Sequence, residues 1–140
     1  MIKPIYLDNQ ATTPMDPKVL KTMIPFFHEN FGNASSMHHR YGIEAQEAVE
    51  SSRATLARVI GAQAKEIIFT SGATEAINLA IKGIVGKINQ KKHIITQATE
   101  HNAVLDTCRS IEKKGWDVTI LPVDEVGYVD PGSIIDAITD

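Results

Sequence analysis

The sequence predicts an α/β fold, a mainly parallel sheet with flanking helices. Three observations carry that expectation. From residue 66 onward, short β-branched runs alternate with longer stretches of helical periodicity. The strand-like runs lead through small or polar residues into the next helical stretch. The alternation itself means βαβ units, whose strands lie parallel.

The elements follow in order. The stretch up to Pro14 is short and extended, with polar punctuation at Asn9, Gln10, Thr12 and Thr13. A helix should begin at Asp16, a good N-cap, with Pro17 suited to the first turn. Val19, Leu20, Met23, Ile24 and Phe27 form its apolar face, and Pro25 should kink or end it. A loop of small and polar residues follows, from Phe31 to His39. A second helix should run from about Tyr41 to Ile60, with Ala45, Ala48, Val49, Ser52, Leu56, Val59 and Ile60 at helical spacing and Gly61 as terminator.

Beyond it, Glu66–Thr70 reads as a buried strand and Glu75 to Asn89 as a helix with Ile77, Ile81, Ile84, Val85 and Ile88 on one face. His93–Thr96 is a short strand. Asn102–Lys114 is a helix with Val104, Leu105, Cys108 and Ile111 inside, closed by Gly115. Val118–Val123 is a third strand, and Asp130-Pro131 caps a last helix carrying Ile134, Ile135 and Ile138. Three strands are few for an open sheet wrapped by helices, so the expectation is a sheet left incomplete.

The chain has 140 residues, enough for a domain with a core, and its 43% apolar and 22% charged content suits a soluble globular protein. No internal repeat or low-complexity tract appears. A net charge of -3 without a basic cluster argues against a nucleic-acid surface. The pairs Lys91-Lys92 and Lys113-Lys114 sit near helix ends, where they complement the dipole. The one cysteine, Cys108, cannot form an internal disulfide. The N-terminus has no apolar signal segment, and no apolar run reaches membrane-spanning length. The expected location is cytoplasmic, with an organelle matrix as the equivalent alternative.

The strongest chemical signal is Ile67-Ile68-Phe69-Thr70-Ser71-Gly72-Ala73-Thr74-Glu75. The glycine permits a tight turn from strand to helix. The Ala73 and Thr74 N–H groups then have no intrahelical partner. Together with the helix dipole and the Thr74 hydroxyl they make an anion site, to which Ser71 could add a second hydroxyl. The competing reading is an ordinary helix capped by Ser71 or Thr74, since most Ser-Gly turns before helices bind nothing. The pattern lacks G-x-G-x-x-G and the Gly-Lys-Ser/Thr ending of a P-loop, so dinucleotides and nucleoside triphosphates are not expected.

The next strand ends in Thr99-Glu100-His101-Asn102. Strand C-termini in a parallel sheet share one edge, so His101 should lie on the same edge as the Ser71–Thr74 turn. An imidazole there can stack on a planar cofactor or move protons. A surface or capping histidine is the competing reading. His28 and His93 read as surface or strand-edge residues. His38-His39 lacks a cysteine or carboxylate partner at ligand spacing, so no metal site is expected.

These residues resemble the cysteine desulfurases of the NifS/IscS type, which are class V aminotransferase-like, fold-type I enzymes of pyridoxal 5'-phosphate (PLP). The resemblance rests on Ile5-Tyr6-Leu7-Asp8-Asn9-Gln10-Ala11-Thr12-Thr13-Pro14, Phe31-Gly32-Asn33-Ala34-Ser35-Ser36, and Glu66 through Glu75. Asn78-Leu79-Ala80-Ile81-Lys82-Gly83, Lys92 through Thr96 and Thr99 through Cys108 continue it in order. One departure is Ala34, where the family usually has proline; it alters loop stiffness more than chemistry.

The resemblance implies that Ala73 and Thr74 bind the PLP phosphate and that His101 stacks on the pyridine ring and can transfer protons. It puts Ala11, Thr12, Thr13 and Asn33 near the substrate end. It also implies that residues 1–15 belong to the small domain and 16–140 to the first part of the PLP-binding large domain. The implied reaction takes sulfur from L-cysteine onto an enzyme cysteine, leaving L-alanine and a persulfide. The sulfur then goes to iron–sulfur cluster assembly or tRNA thiolation. Implied partners are a second copy in a homodimer and iron–sulfur scaffold or sulfur-acceptor proteins.

In the family the lysine that forms the Schiff base with PLP lies in Ser-x-His-Lys, and no lysine of this chain follows a histidine. The aspartate that pairs with the pyridine nitrogen and the sulfur-accepting cysteine are also absent. Cys108 is no substitute, because it lies on the apolar face with Val104 and Ile111, where burial raises a thiol pKa. The expectation is an N-terminal portion, inactive alone. The alternatives are another class V enzyme, such as a selenocysteine lyase or an aminotransferase, and a degenerate, non-catalytic partner of a full-length desulfurase.

Overall fold

A computed structural model describes residues 4–88 and 92–139. Met1, Ile2 and Lys3 of the N-terminal segment, the expected helix end at Asn89, Lys91 of the basic pair and the final Asp140 lie outside the described residues. The chain forms two compact units, Met1–Ile68 and Phe69–Asp140.

The first unit is helical. Asp16 caps α1 (Pro17–Met23), its carboxylate accepting from the Lys18 N–H at 2.7 Å. Pro25 divides this helix from the single turn α2 (Pro25–His28). The expected apolar face is open: Val19, Leu20, Met23, Ile24 and Phe27 are all exposed. The long helix α3 (Arg40–Ile60) ends where Gly61 adopts φ 71°, the left-handed cap that favours glycine. Its buried residues are small ones, Gly42, Ala45 and Ala57. Of the expected face, Leu56, Val59 and Ile60 are exposed instead.

Gly42 is buried for a steric reason. A Cβ there would stand 1.8 Å from the Ser36 carbonyl oxygen, and one on Gly32 would stand 2.0 Å from the Tyr41 oxygen. Backbone therefore meets backbone where the 31–36 loop crosses the first turn of α3.

The expected strand over Glu66–Thr70 does not form. Glu66 closes a 3-10 turn, Ala64–Glu66, and its carboxylate accepts the Gln63 N–H at 2.7 Å. The carbonyl of Ile67 accepts from the Arg53 guanidinium on α3. A β-branched run suits a pleated surface, but only a neighbouring ladder makes it a strand.

The second unit is the α/β part. Helix α4 (Ala73–Val85) is followed by β1 (His93–Gln97), α5 (Asn102–Glu112), β2 (Asp117–Leu121) and α6 (Pro131–Ala137). β1 and β2 pair in parallel, from His93↔Asp117 to Gln97↔Leu121, with α5 as the crossover. Among the described residues the sheet has these two strands, not three.

β2 stops before Pro122, which has no N–H for a ladder. α4 ends at Gly86, short of the expected Asn89, so Ile88 lies beyond the helix, and α5 ends in a tight turn at Gly115, where φ is 89°. Leu105, Cys108, Ile111 and Leu121 form the buried apolar core of this unit. Cys108 is thus a core residue, as its helical spacing predicts.

Two glycine substitutions should move stability in opposite directions. Gly42→Ala should lower the thermal midpoint, because its Cβ collides with backbone that no side-chain rotation can move. Gly83→Ala should raise stability by about 0.5–1 kcal/mol, since it lies in α4 with nothing within 4 Å of the new Cβ. Thermal denaturation followed by circular dichroism checks both.

Candidate functional site

Helix α4 has an N-terminus with little internal satisfaction. Its N-cap is Gly72, which has no side chain to offer. The first N–H of the helix to find a carbonyl is that of Ala76, bonded to Gly72 at 3.1 Å. No partner is described for the N–H groups of Ala73 and Thr74 or for the Thr74 hydroxyl. Gly72, Ala73 and Thr74 are all exposed. Gly72 itself is extended, at φ 161°, and a Cβ there would meet nothing within 4 Å. Neither strain nor packing within this chain demands the glycine. Its missing side chain leaves open space beside the free donors.

The expected second hydroxyl is not available as a donor. Ser71 gives both its N–H, at 2.6 Å, and its hydroxyl, at 2.7 Å, to one carboxylate oxygen of Glu75. The backbone bond and then the hydroxyl bond hold the Glu75 pKa below the ordinary carboxylate value. The Ser71–Gly72 turn is thereby tied to the helix it opens. Sequence reasoning missed this clasp. Its signal is an acidic residue in the first turn reaching one residue beyond the N-cap, a shifted half of a capping box.

His101 follows the C-terminal end of β1, after the turn Ala98–Glu100. An apolar cavity of about 490 Å³ lies along α4, β1 and α5, lined by Ile81, Ile84, Val85, Ile94, Thr96 and Cys108 among others.

His101 is also the N-cap of α5. Its Nδ1 accepts the Ala103 N–H at 3.1 Å, and its carbonyl accepts the Val104 and Leu105 N–H groups. The capping reading and the ligand reading therefore coexist, because the cap uses one ring nitrogen and leaves the ring exposed.

Ala11, Thr12 and Asn33 lie in the first unit and are exposed. Ala11 and Thr12 close a turn on the Asp8 carbonyl. The Asn33 side chain accepts the Ser35 N–H at 2.9 Å, fixing its own loop. His39 caps α3 through Nδ1, a role the sequence did not suggest. Among the described residues no group of three potential metal ligands occurs, and no helix is long and apolar enough to cross a membrane.

The aminotransferase class-V profile matches residues 5–140. The chain belongs to the class-V aminotransferase family. Proteins of this family are PLP enzymes, and the free donors at Ala73 and Thr74 have the chemistry a phosphate needs. The class-V chain is 54% identical over 141 residues to the cysteine desulfurase IscS of Rickettsia bellii (strain OSU 85-389), covering 100% of itself and 34% of that protein. It thus spans about a third of the length of the curated relatives it matches.

Among solved structures it is similar to a NifS-like protein, at a TM-score of 0.88 and 39% identity, over 97% of this chain and 37% of that one. It is also similar to SspA in complex with cysteine, at a TM-score of 0.83 and 38% identity, over 96% and 39% of the two chains. These matches agree with the α/β expectation and with an unclosed parallel sheet.

Because Ser71 lowers the Glu75 pKa, the clasp contributes stability above the ordinary glutamate pKa and loses it as pH falls through the lowered folded value. Glu75 should therefore titrate below the ordinary range in carboxyl-detected NMR. Ser71→Ala, which keeps the backbone donor, should move that titration only part of the way back.

Proposed function

We propose that this chain is the N-terminal, phosphate-holding part of a cysteine desulfurase. The reading rests on the uncapped N-terminus of α4, whose Ala73 and Thr74 donors have no described partner, and it takes His101, just past the end of β1, to lie on the same sheet edge. The 54% identity to an IscS desulfurase supports the choice among class-V activities. Residues 1–15 would belong to the small domain and 16–140 to the large one. The whole protein would act on L-cysteine as a homodimer, in the cytoplasm or an organelle matrix. It would pass sulfur to iron–sulfur scaffold or other acceptor proteins.

PLP, when bound, supplies an electron sink for chemistry on an amino acid. The residues present fit its phosphate end. Ala73 and Thr74 would donate to phosphate oxygens, and α4 would add its dipole. His101 would lay its exposed ring against the pyridine. Asn33, Ala11 and Thr12 would border the amino-acid end. No residue here replaces the lysine of a Ser-x-His-Lys motif or the sulfur-accepting cysteine. Cys108 has its thiol pKa raised, first by burial and then by the Glu100 charge, so it is a poor nucleophile.

Exposed apolar side chains support a chain that works covered by further protein: Ile84, Ile135 and Ile138 are each more than 60% exposed.

Two outcomes test the proposal. The 140-residue chain should bind PLP with chemical-shift changes at the Ala73 and Thr74 amides, and pyridoxal without the phosphate should not reproduce them. Thr74→Ala should weaken that binding about tenfold, the worth of one hydrogen bond to a charged group. Incubated with PLP and L-cysteine, the chain alone should release no alanine. Release of alanine and sulfide would show that the missing lysine and cysteine are not needed.

A further inference from the structure

We propose that the Ala103 N–H biases His101 toward the Nε2–H tautomer and favours one ring orientation, so that Nε2–H is the polar group the ring presents beside its ligand. This deepens the reading of His101 as the cofactor-facing histidine and rests on it.

The argument begins with the donor. A backbone N–H can only donate, so a ring nitrogen 3.1 Å from the Ala103 nitrogen must accept. That nitrogen is Nδ1. In a neutral imidazole one nitrogen carries the proton and the other accepts, so the proton is on Nε2. Protonating Nδ1 instead would break the cap and put two donors face to face.

Orientation follows from the same contact. His101 has φ -60° and ψ 146°, and its carbonyl is held by the Val104 and Leu105 N–H groups. With the backbone fixed at one end and Nδ1 bonded at the other, the side-chain torsions that keep the cap are few. α5 is itself anchored by Cys108 and Ile111, each 1% exposed. The ring therefore stands on a rigid element. No partner is described for Nε2, which stays available.

The consequence is a division of labour within one side chain. Nδ1 serves the helix, and Nε2–H serves the ligand as a hydrogen-bond or proton donor. Ala103 becomes a positioning residue, acting through its main chain on the group that touches the cofactor. The molecule also holds a matched case and a reference. His39 accepts the Gly42 N–H at 3.2 Å and caps α3 in the same manner. For the His38 ring no hydrogen bond is described.

Imidazole nitrogen NMR on the full 140-residue chain, in mildly alkaline buffer without ligand, reads the tautomers directly. The ratio of Nε2–H to Nδ1–H at His101 should exceed that at His38 by about fivefold, the equilibrium factor of a typical N-cap bond. His39 should resemble His101. Equal ratios at His101 and His38 overturn the proposal.

Ala103→Pro removes the donor within the first helical turn, where proline is tolerated. The His101 ratio should then fall to that of His38, while His39 keeps its own. An unchanged His101 ratio overturns the proposal. If this variant does not fold, the wild-type comparison decides alone. Addition of PLP separates the two readings. A biased tautomer with no PLP-induced shift at Nε2 overturns the cofactor role and leaves the bias supported; a shift at Nε2 supports both.

Discussion

The short parallel ladder between β1 and β2 is the constraint on which the second unit depends. Parallel strands need a crossover, and α5 supplies it. The crossover must leave β1 at one edge and return to β2 at the other. That requirement alone carries His101 to the C-terminal edge and Gly115 to the opposite one. Leu105, Cys108 and Ile111 of α5 are buried, as is Leu121 of β2. A ladder of five residue pairs is small, so its persistence rests on that burial. The position of the candidate site is thus a by-product of burying a few apolar side chains.

The first unit is organised differently. Its central contact is the passage of the 31–36 loop over the start of α3, where Gly32 and Gly42 let two stretches of backbone approach each other. Phe31 and Tyr41 stack beside it at 5.5 Å, and Asn33 ties its own loop with a side-chain bond to Ser35. The resemblance puts Asn33 at the substrate end, and the loop that carries it is held by close contact rather than by a large core. Small residues thus do in this unit what aliphatic residues do around α5.

Much of this was legible in the sequence, and the limits have physical causes. Caps were the clearest signals. Asp16 and Asp130 both accept the main-chain bonds their positions predict, and Gly61 takes the left-handed conformation that a terminator requires. The order β1–α5–β2 and the burial of Cys108 followed from periodicity. The strand over Glu66–Thr70 was misread because the run records only a preference for pleated surroundings. The Arg53 contact to Ile67 joins residues 14 apart and leaves no local trace. Ile84 and Phe27 lie on faces that helical spacing marks as apolar, yet both are exposed. Periodicity tells which face can be covered and is silent on what covers it.

The candidate site was legible for a related reason, in that its logic is local. Every helix must satisfy its first N–H groups, and this chain usually does so with a side chain. Asp16 serves α1, His39 serves α3, His101 serves α5 and Asp130 serves α6. Among the helices longer than one turn, α4 is the exception. Any serine, threonine, aspartate or asparagine at position 72 would offer a capping oxygen, worth roughly a few tenths of a kcal/mol over glycine. A glycine there gives up that gain, although neither its φ nor its surroundings exclude a side chain. A Cβ and a capping oxygen at position 72 would occupy the space and the donors that a phosphate needs. The forgone cap is thus intelligible as the condition for an anion at Ala73 and Thr74. The class-V match spans that turn, and the PLP that this family carries has a phosphate. His101 shows a different solution one helix later, where the cap uses Nδ1 and leaves Nε2 of the exposed ring without a described partner.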